Sequence, residues 1–302
     1  MRCSRPNYVL DLGVKENGSR NLKFLPKRVD LYSWKQLSER YGSANVIPLP
    51  CGKCLNCRLN KANEWSVRCM LESLEHENNW FVTLTYDDEH LPEDGLLHRD
   101  VLQKFFKRLR KYTKFRYFGC GEYGTKNGRP HYHVILFGAD IDFKPIGLGL
   151  GESKIISDCW PFGFNYIGDV SYSSCNYVAR YTTKKLFGEV DKPGEFLCMS
   201  NKPGIGANYC KEHLSTILEY DKVFGNFGSS KQSMLPRYFD KIAEKLDSDR
   251  YAEMKKVRLD KGNEMLLHQM LQIGLAEQEE FLKYKQEISI RDFVSKKRGM
   301  RL

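Results

Sequence analysis

The chain has 302 residues, 41% of them hydrophobic and 13% aromatic, and a formal net charge of +10. That apolar fraction excludes a wholly disordered chain, and the length allows about two domains. The excess of Lys and Arg points to a polyanionic partner, nucleic acid first. The best apolar run, V-I-L-F-G-A at residues 134–139, is far short of the ~20 residues a bilayer-crossing helix needs, so no membrane partner is expected. The N-terminal M-R-C-S-R-P-N-Y lacks the apolar core of a secretion signal. This predicts a cytoplasmic protein whose ten cysteines are mostly reduced.

Residues 1–50 are turn-rich with weak periodicity, and residues 51–57 read C-G-K-C-L-N-C. A helix is predicted over residues 58–77, with Leu59, Ala62, Trp65, Cys69 and Leu71 on one stripe. Residues 80–86, W-F-V-T-L-T-Y, predict a strand. Asp100 then predicts a helix N-cap, with Gln103 three residues on. Val101, Leu102, Phe105, Leu109 and Tyr112 supply the apolar face of that helix. Lys104, Lys107, Arg108, Arg110 and Lys111 cover the rest, a run that suits either a solvated face or contact with a DNA backbone. Residues 115–123 and 130–137 predict a hairpin about Asn127-Gly128. A strand over 164–170 and a helix over 174–186 follow. Residues 191–235, rich in Gly, Ser and Asn, predict an irregular connection. Residues 236–302 predict a charged helical extension with Met265, Leu266, Met270, Leu271 and Leu275 as its stripe. The chain thus divides into a cysteine-bearing N-terminal region (1–75), a core (76–190), the connection and the extension.

The hairpin carries the densest chemistry. A two-residue turn at Asn127-Gly128 sets Glu122 opposite His133 and Gly124 opposite His131. Strand side chains alternate faces, so His131 and His133 share one with Glu122. Three ligands with room for water and substrate oxygens suit a divalent ion acting on phosphate, Mg²⁺ or Mn²⁺. The same H-x-H also fits two hydrogen-bonded histidines on a half-buried strand. In the predicted helix over 174–186, Tyr177 and Tyr181 lie four apart on one face, which Lys184 and Lys185 share. An ammonium beside a phenol favours the tyrosinate and can hold a phosphate. Two core tyrosines beside solvated lysines give the same pattern.

Together, F-V-T-L-T-Y, then G-E-Y-G and R-P-H-Y-H-V-I-L-F-G, then Y-V-A-R-Y-T-T-K-K resemble the three motifs of HUH (His-hydrophobe-His) rolling-circle replication initiators. The tyrosine pair before Lys-Lys resembles the Microviridae initiators. P-C-G-K-C-L-N-C-R-L at 50–59, W-S-V-R-C at 65–69 and E-F-L-C-M-S-N-K-P-G-I-G at 195–206 resemble the gokushovirus branch. The resemblance implies an α+β fold with a central antiparallel sheet of about five strands flanked by helices. It places the strand around Thr83 and Thr85 beside the metal hairpin and the tyrosine helix over the same face. It implies a nicking and rejoining endonuclease that forms a 5′-phosphotyrosine and frees a 3′-OH primer on single-stranded DNA at a replication origin. Tyr132 is a less usual middle residue than Leu or Val but bulky enough to pack.

Cys51, Cys54 and Cys57, with Cys3 as a fourth thiolate, suit structural Zn²⁺, with an iron–sulfur cluster as rival and packed, reduced cysteines as the third reading. No G-x-x-x-x-G-K-[ST] occurs, so helicase and polymerase are expected from the bacterial host. Basic residues between 104 and 116 are expected to contact the strand, with Tyr and Phe rings as stacking platforms. Two rival functions remain: a non-catalytic, zinc-containing nucleic-acid binder, and a His/His/Glu zinc hydrolase of small substrates.

Overall fold

The computed structural model describes residues 3, 7–14, 20–25, 40, 46–124, 128–184 and 194–272. Two units divide it: Met1–Asn60 together with Leu259–Leu302, and Lys61–Arg258. In the first, strands β1 (Asn7–Val14), β2 (Arg20–Phe24) and β3 (Val46–Leu49) form an antiparallel sheet in the order β2-β1-β3. Val9 and Leu10 are its buried residues. The weak periodicity of residues 1–50 reflects strands this short and a bulge between Asp11 and Val14. Helix α1 (Leu55–Ser73) begins in this unit.

The second unit is built on a seven-stranded sheet among the described residues. In chain order its strands are β4 (Asn79–Tyr86), β5 (Arg116–Tyr123), β6 (Pro130–Phe137), β7 (Lys144–Gly147), β8 (Leu150–Glu152), β9 (Gly163–Asp169) and β10 (Phe196–Met199). They lie in the order β10-β5-β6-β4-β9-β8-β7, every neighbour antiparallel. The expected α+β sheet flanked by helices is present, with seven strands where about five were expected. The extra pair β7–β8 is a Gly- and Pro-containing hairpin too short to show a period.

Side-chain alternation divides the unit's core in two. Tyr132, Val134 and Leu136 of β6 pack with Val82, Leu84 and helix α2 (Arg99–Leu109), which contributes Leu102, Phe105, Phe106 and Leu109. The short helix α3 (Lys154–Cys159) adds Ile156 there. Ile135 and Phe137 face the other way, against Ala62, Val67 and Leu71 of α1 and Cys175, Val178 and Ala179 of α4 (Tyr172–Lys184). Each such buried side chain contributes about 1.5–3 kcal/mol. No helix among the described residues is long and apolar enough to cross a membrane.

Three local expectations are corrected. Asp100 is not the cap of α2: His98 occupies that position, and the Asp100 carboxylate instead accepts from Lys104 Nζ at 2.9 Å one turn on. Residues 194–235 are not irregular. They hold β10, helices α5 (Ala207–Glu212) and α6 (Leu214–Tyr220), and the hairpin of β11 (Lys222–Phe227) and β12 (Ser230–Met234). Elements of four to seven residues do not complete enough periods to stand out from their turn residues. The extension folds as α7 (Arg237–Leu246) and α8 (Ser248–Gln272). Of its expected apolar stripe, Met265 and Leu271 are exposed. The side chains of Leu266 and Met270, and all of Leu275, lie outside the described residues.

Candidate active site

The β5–β6 hairpin carries Glu122 on one strand and His131 and His133 on the other. Its register differs from the expected one by two residues: Glu122 faces His131, and Cys120 faces His133. Tyr123 and Pro130 are the last pair, so the connection is longer than two residues. Within it Gly124 N donates to Arg129 O at 2.9 Å and Gly128 N to Gly124 O at 3.0 Å, with Gly128 at φ +63°. Residues 125–127, and so Asn127, lie outside the described residues. A shift of two conserves side-chain parity, so the corrected register still leaves Glu122, His131 and His133 on one face.

Glu122 Oε1 lies 2.6 Å from His131 Nε2 and 2.9 Å from His133 Nε2. Glu122 and His133 are buried. His131 Nδ1 lies 3.1 Å from Arg129 O, and since a carbonyl only accepts, Nδ1 carries the proton and Nε2 is the ligating nitrogen of the neutral ring. His133 Nδ1 bonds the Thr83 hydroxyl at 3.0 Å, and Phe81 stacks on its ring at 5.6 Å. Arg129 anchors the turn end of β6: its guanidinium donates to Asp88 Oδ1 at 2.5 Å and to the carbonyls of Tyr86 and Asp87 at 3.2 and 3.0 Å. The three donor atoms lie within 4.8 Å of one another. Ligands ~2.1 Å from an octahedral ion would stand about 3 Å apart along each edge, so the donor set fits a divalent cation. The Tyr177 hydroxyl, on α4, donates to the same Glu122 Oε1 at 3.0 Å, with its ring edge-on to His133 at 5.0 Å.

A second donor cluster lies in the first unit. Cys3, Cys51, Cys54 and Cys57 bring four sulfurs within 4.8 Å of one another. Cys3 Sγ and Cys54 Sγ are 3.8 Å apart, and Cys51 Sγ and Cys57 Sγ are 4.0 Å apart. The amides of Lys53 and Cys54 both donate to Cys51 Sγ, at 3.4 and 3.3 Å, an arrangement that favours a thiolate there. Sulfurs ~2.3 Å from a tetrahedral ion stand about 3.8 Å apart, which fits one mononuclear ion.

A family profile described as a replication-associated protein of the ORF2 type matches residues 79–186. That range takes in β4, the hairpin and α4. The replication-associated protein ORF2 of Spiroplasma virus 4 is 37% identical over 276 residues, 83% of each chain. The chain belongs to the replication-associated proteins of Microviridae-type phages. The replication-associated protein VP4 of Bdellovibrio phage phiMH2K is 34% identical over 84% of this chain and 85% of its own. The replication-associated protein A of Enterobacteria phage phiX174 is 21% identical over 67% of this chain and 45% of its own. No solved structure matches.

Not every residue singled out in the sequence of this replication-associated protein meets at the hairpin. Helix α4 runs on through Tyr181 and Lys184, whose side chains, like all of Lys185, lie outside the described residues. The basic helix α2 lies on the opposite face of the sheet from His131 and His133. There Arg108 donates to Cys159 O at 2.7 Å and lies over the Phe162 ring, while Arg110 lies over Phe115. Lys104 is paired with Asp100, and Lys107 and Lys111 are exposed.

Sequence reasoning missed the part Arg129 and Tyr132 play in holding the hairpin. Tyr132 is buried behind the histidines and its hydroxyl donates to His98 O at 3.0 Å and accepts from His98 N at 3.3 Å. This ties the start of α2 to the strand between the two ligands. No one-dimensional signal carries either role, since the partners lie 34 and more residues away. The E-F-L-C-M-S motif also gains a structural account. It adds β10 beside β5, and Ser200 Oγ and N exchange bonds with Tyr117 N and O at 3.1 and 2.9 Å.

Proposed function

We propose that this phage replication-associated protein initiates rolling-circle replication by nicking and rejoining one strand of origin DNA through a phosphotyrosine. The observation that carries the reading is the Tyr177 hydroxyl 3.0 Å from Glu122 Oε1, the atom on which both histidine Nε2 atoms converge. A metal-site carboxylate, two imidazoles and a nucleophile meet on one open sheet face. A divalent ion held by Glu122, His131 and His133, Mg²⁺ or Mn²⁺, would polarise the scissile phosphate.

The remaining steps belong to the chain. Thr83 and the Arg129 carbonyl hold the rings with Nε2 forward. Tyr177 Oη attacks phosphorus in line, the P–O3′ bond breaks, and the phenol proton passes to Glu122. The leaving 3′ oxygen takes up a proton and becomes the primer hydroxyl. The phosphotyrosine conserves the bond, so rejoining needs no ATP. Lys184 and Lys185 are proposed to favour the tyrosinate and hold phosphate. Tyr181, one turn on, is proposed to cut the regenerated origin while Tyr177 still holds the first 5′ end, the two alternating from round to round. Lys104, Lys107, Arg110 and Lys111 are proposed to contact DNA away from the cleavage point. The four cysteines are proposed to hold structural Zn²⁺, and helicase and polymerase to come from the host.

The test is incubation of labelled single-stranded origin DNA with the full chain and Mn²⁺, read on a denaturing gel. Wild type should give a covalent protein–DNA adduct, Tyr177→Phe and Tyr181→Phe each a reduced amount, and the double variant none. A wild type that shifts DNA only reversibly would refute the nicking mechanism.

A further inference from the structure

Strand β9 is turned inside out. Its polar Asn165 is buried at 4% exposure, while Phe164 and Tyr166 stand 59% and 40% exposed. Alternation on a half-buried strand ordinarily does the reverse. The inversion is held in place: Asn165 Nδ2 donates to Ser157 Oγ at 2.8 Å, and Asn165 Oδ1 accepts from Ser153 N at 3.4 Å. Ile167 is buried on the same side as Asn165. The two rings therefore cannot turn inward without orphaning a buried amide.

Cross-strand register fixes where they point. Tyr166 is opposite Thr83 and Phe164 opposite Thr85 on β4, and these in turn are opposite His133 and His131 on β6. Directly opposed residues share a face, so both rings lie on the face of the Glu122, His131 and His133 cluster. Strands stand ~4.8 Å apart, so the rings lie about 10 Å from the histidine row, and about 7 Å from each other along β9. That spacing suits neighbouring bases of an extended strand.

We propose that Phe164 and Tyr166 form a base-stacking platform for single-stranded DNA, holding the nucleotides next to the scissile phosphate. The occupant follows from three features together: flat apolar rings in the open, direct continuity with a site built for phosphate, and a net charge of +10 on the chain. The platform rests on the nuclease reading for its position and sharpens that reading. Strand contacts near the chemistry come from β9 and not from the basic helix on the far face.

The experiment measures binding of a fluorescent thymidine oligonucleotide of about 20 nucleotides to the full chain in chelator, where nicking plays no part. Phe164→Ala and Tyr166→Ala should each weaken binding about 5- to 100-fold, the range of base–aromatic stacking. Phe164→Trp and Tyr166→Phe should keep it, and Phe164→Leu should not, because leucine is apolar but has no ring face. An abasic oligonucleotide of the same length should bind wild type and alanine variants alike. Melting temperatures should match wild type, since both rings are exposed. Unchanged thymidine binding in the alanine variants, or equal losses on the abasic strand, would overturn the platform. A wild type that binds as described but forms no adduct with Mn²⁺ would overturn the nuclease reading alone.

Discussion

Glu72, near the end of α1, offers a sharp test of how the second unit is held together. Its carboxylate is almost fully buried and accepts from Arg116 Nε at the start of β5 and from Gly206 N at 2.5 Å, with His76 Nε2 3.5 Å away. Arg116 donates onward to Pro203 O at 2.7 Å. One side chain thus links α1, the strand that carries Glu122, and the segment after β10. Glu72→Gln keeps the volume and removes the charge. Breaking a buried pair costs about 3–5 kcal/mol. Arg116 keeps some solvent and its bond to Pro203, so a loss near the lower end, about 3 kcal/mol, is expected. For a unit of about 200 residues that corresponds to a melting temperature roughly 6–12 °C lower.

The pH dependence follows from the same contacts. Burial pushes the Glu72 carboxyl up, and hydrogen bonds with His76, the Gly206 amide and Arg116 more than offset it, so its pKa lies below the ordinary 4.5. A depressed carboxyl stabilises the fold fully above its unfolded value and loses that contribution as pH falls through the folded one. The gap between wild type and Glu72→Gln should therefore be full at pH 7 and shrink below about pH 4. Thermal melts of the intact chain across that range measure it. Equal melting temperatures at pH 7, or a gap that widens in acid, would refute the account.

Tyr132→Phe leaves both His98 backbone groups and the Tyr86 hydroxyl without their partner. A loss of about 2 kcal/mol in urea unfolding is expected, from one buried hydroxyl with orphaned partners. Gly163 adopts φ +144°, and a Cβ there would sit 2.4 Å from Asp87 N and 2.5 Å from Thr85 O. Gly163→Ala should therefore cost at least about 2 kcal/mol and lower adduct yield by displacing β9 from β4. His133→Ala should abolish cleavage while single-stranded DNA affinity in chelator stays within a few-fold of wild type, because phosphate and base contacts set affinity. Cys54→Ser should lower bound zinc, read by elemental analysis, and lower the melting temperature, since site assembly is coupled to folding. Purified wild type without zinc would refute that site.

Much of the chemistry is legible in one dimension because it is local. H-x-H puts two imidazoles on one face of any strand, and Glu122 keeps that face under any even shift of register. That is why a wrong turn length still led to the right cluster. Strands β4, β5, β6 and β9 and helix α4 stand out because each completes several periods of its pattern. Tertiary structure alone decided the rest. The turn between Tyr123 and Pro130 is set by the Arg129 anchor to Asp87 and Asp88 across the sheet, which no dipeptide signal encodes. The placement of the basic helix behind the sheet follows from which strand face Leu102 and Phe105 bury. Whether Phe164 and Tyr166 face core or solvent depends on the partners Asn165 finds in Ser153 and Ser157. Strand polarity has two solutions in the sequence, and only long-range hydrogen bonds select between them.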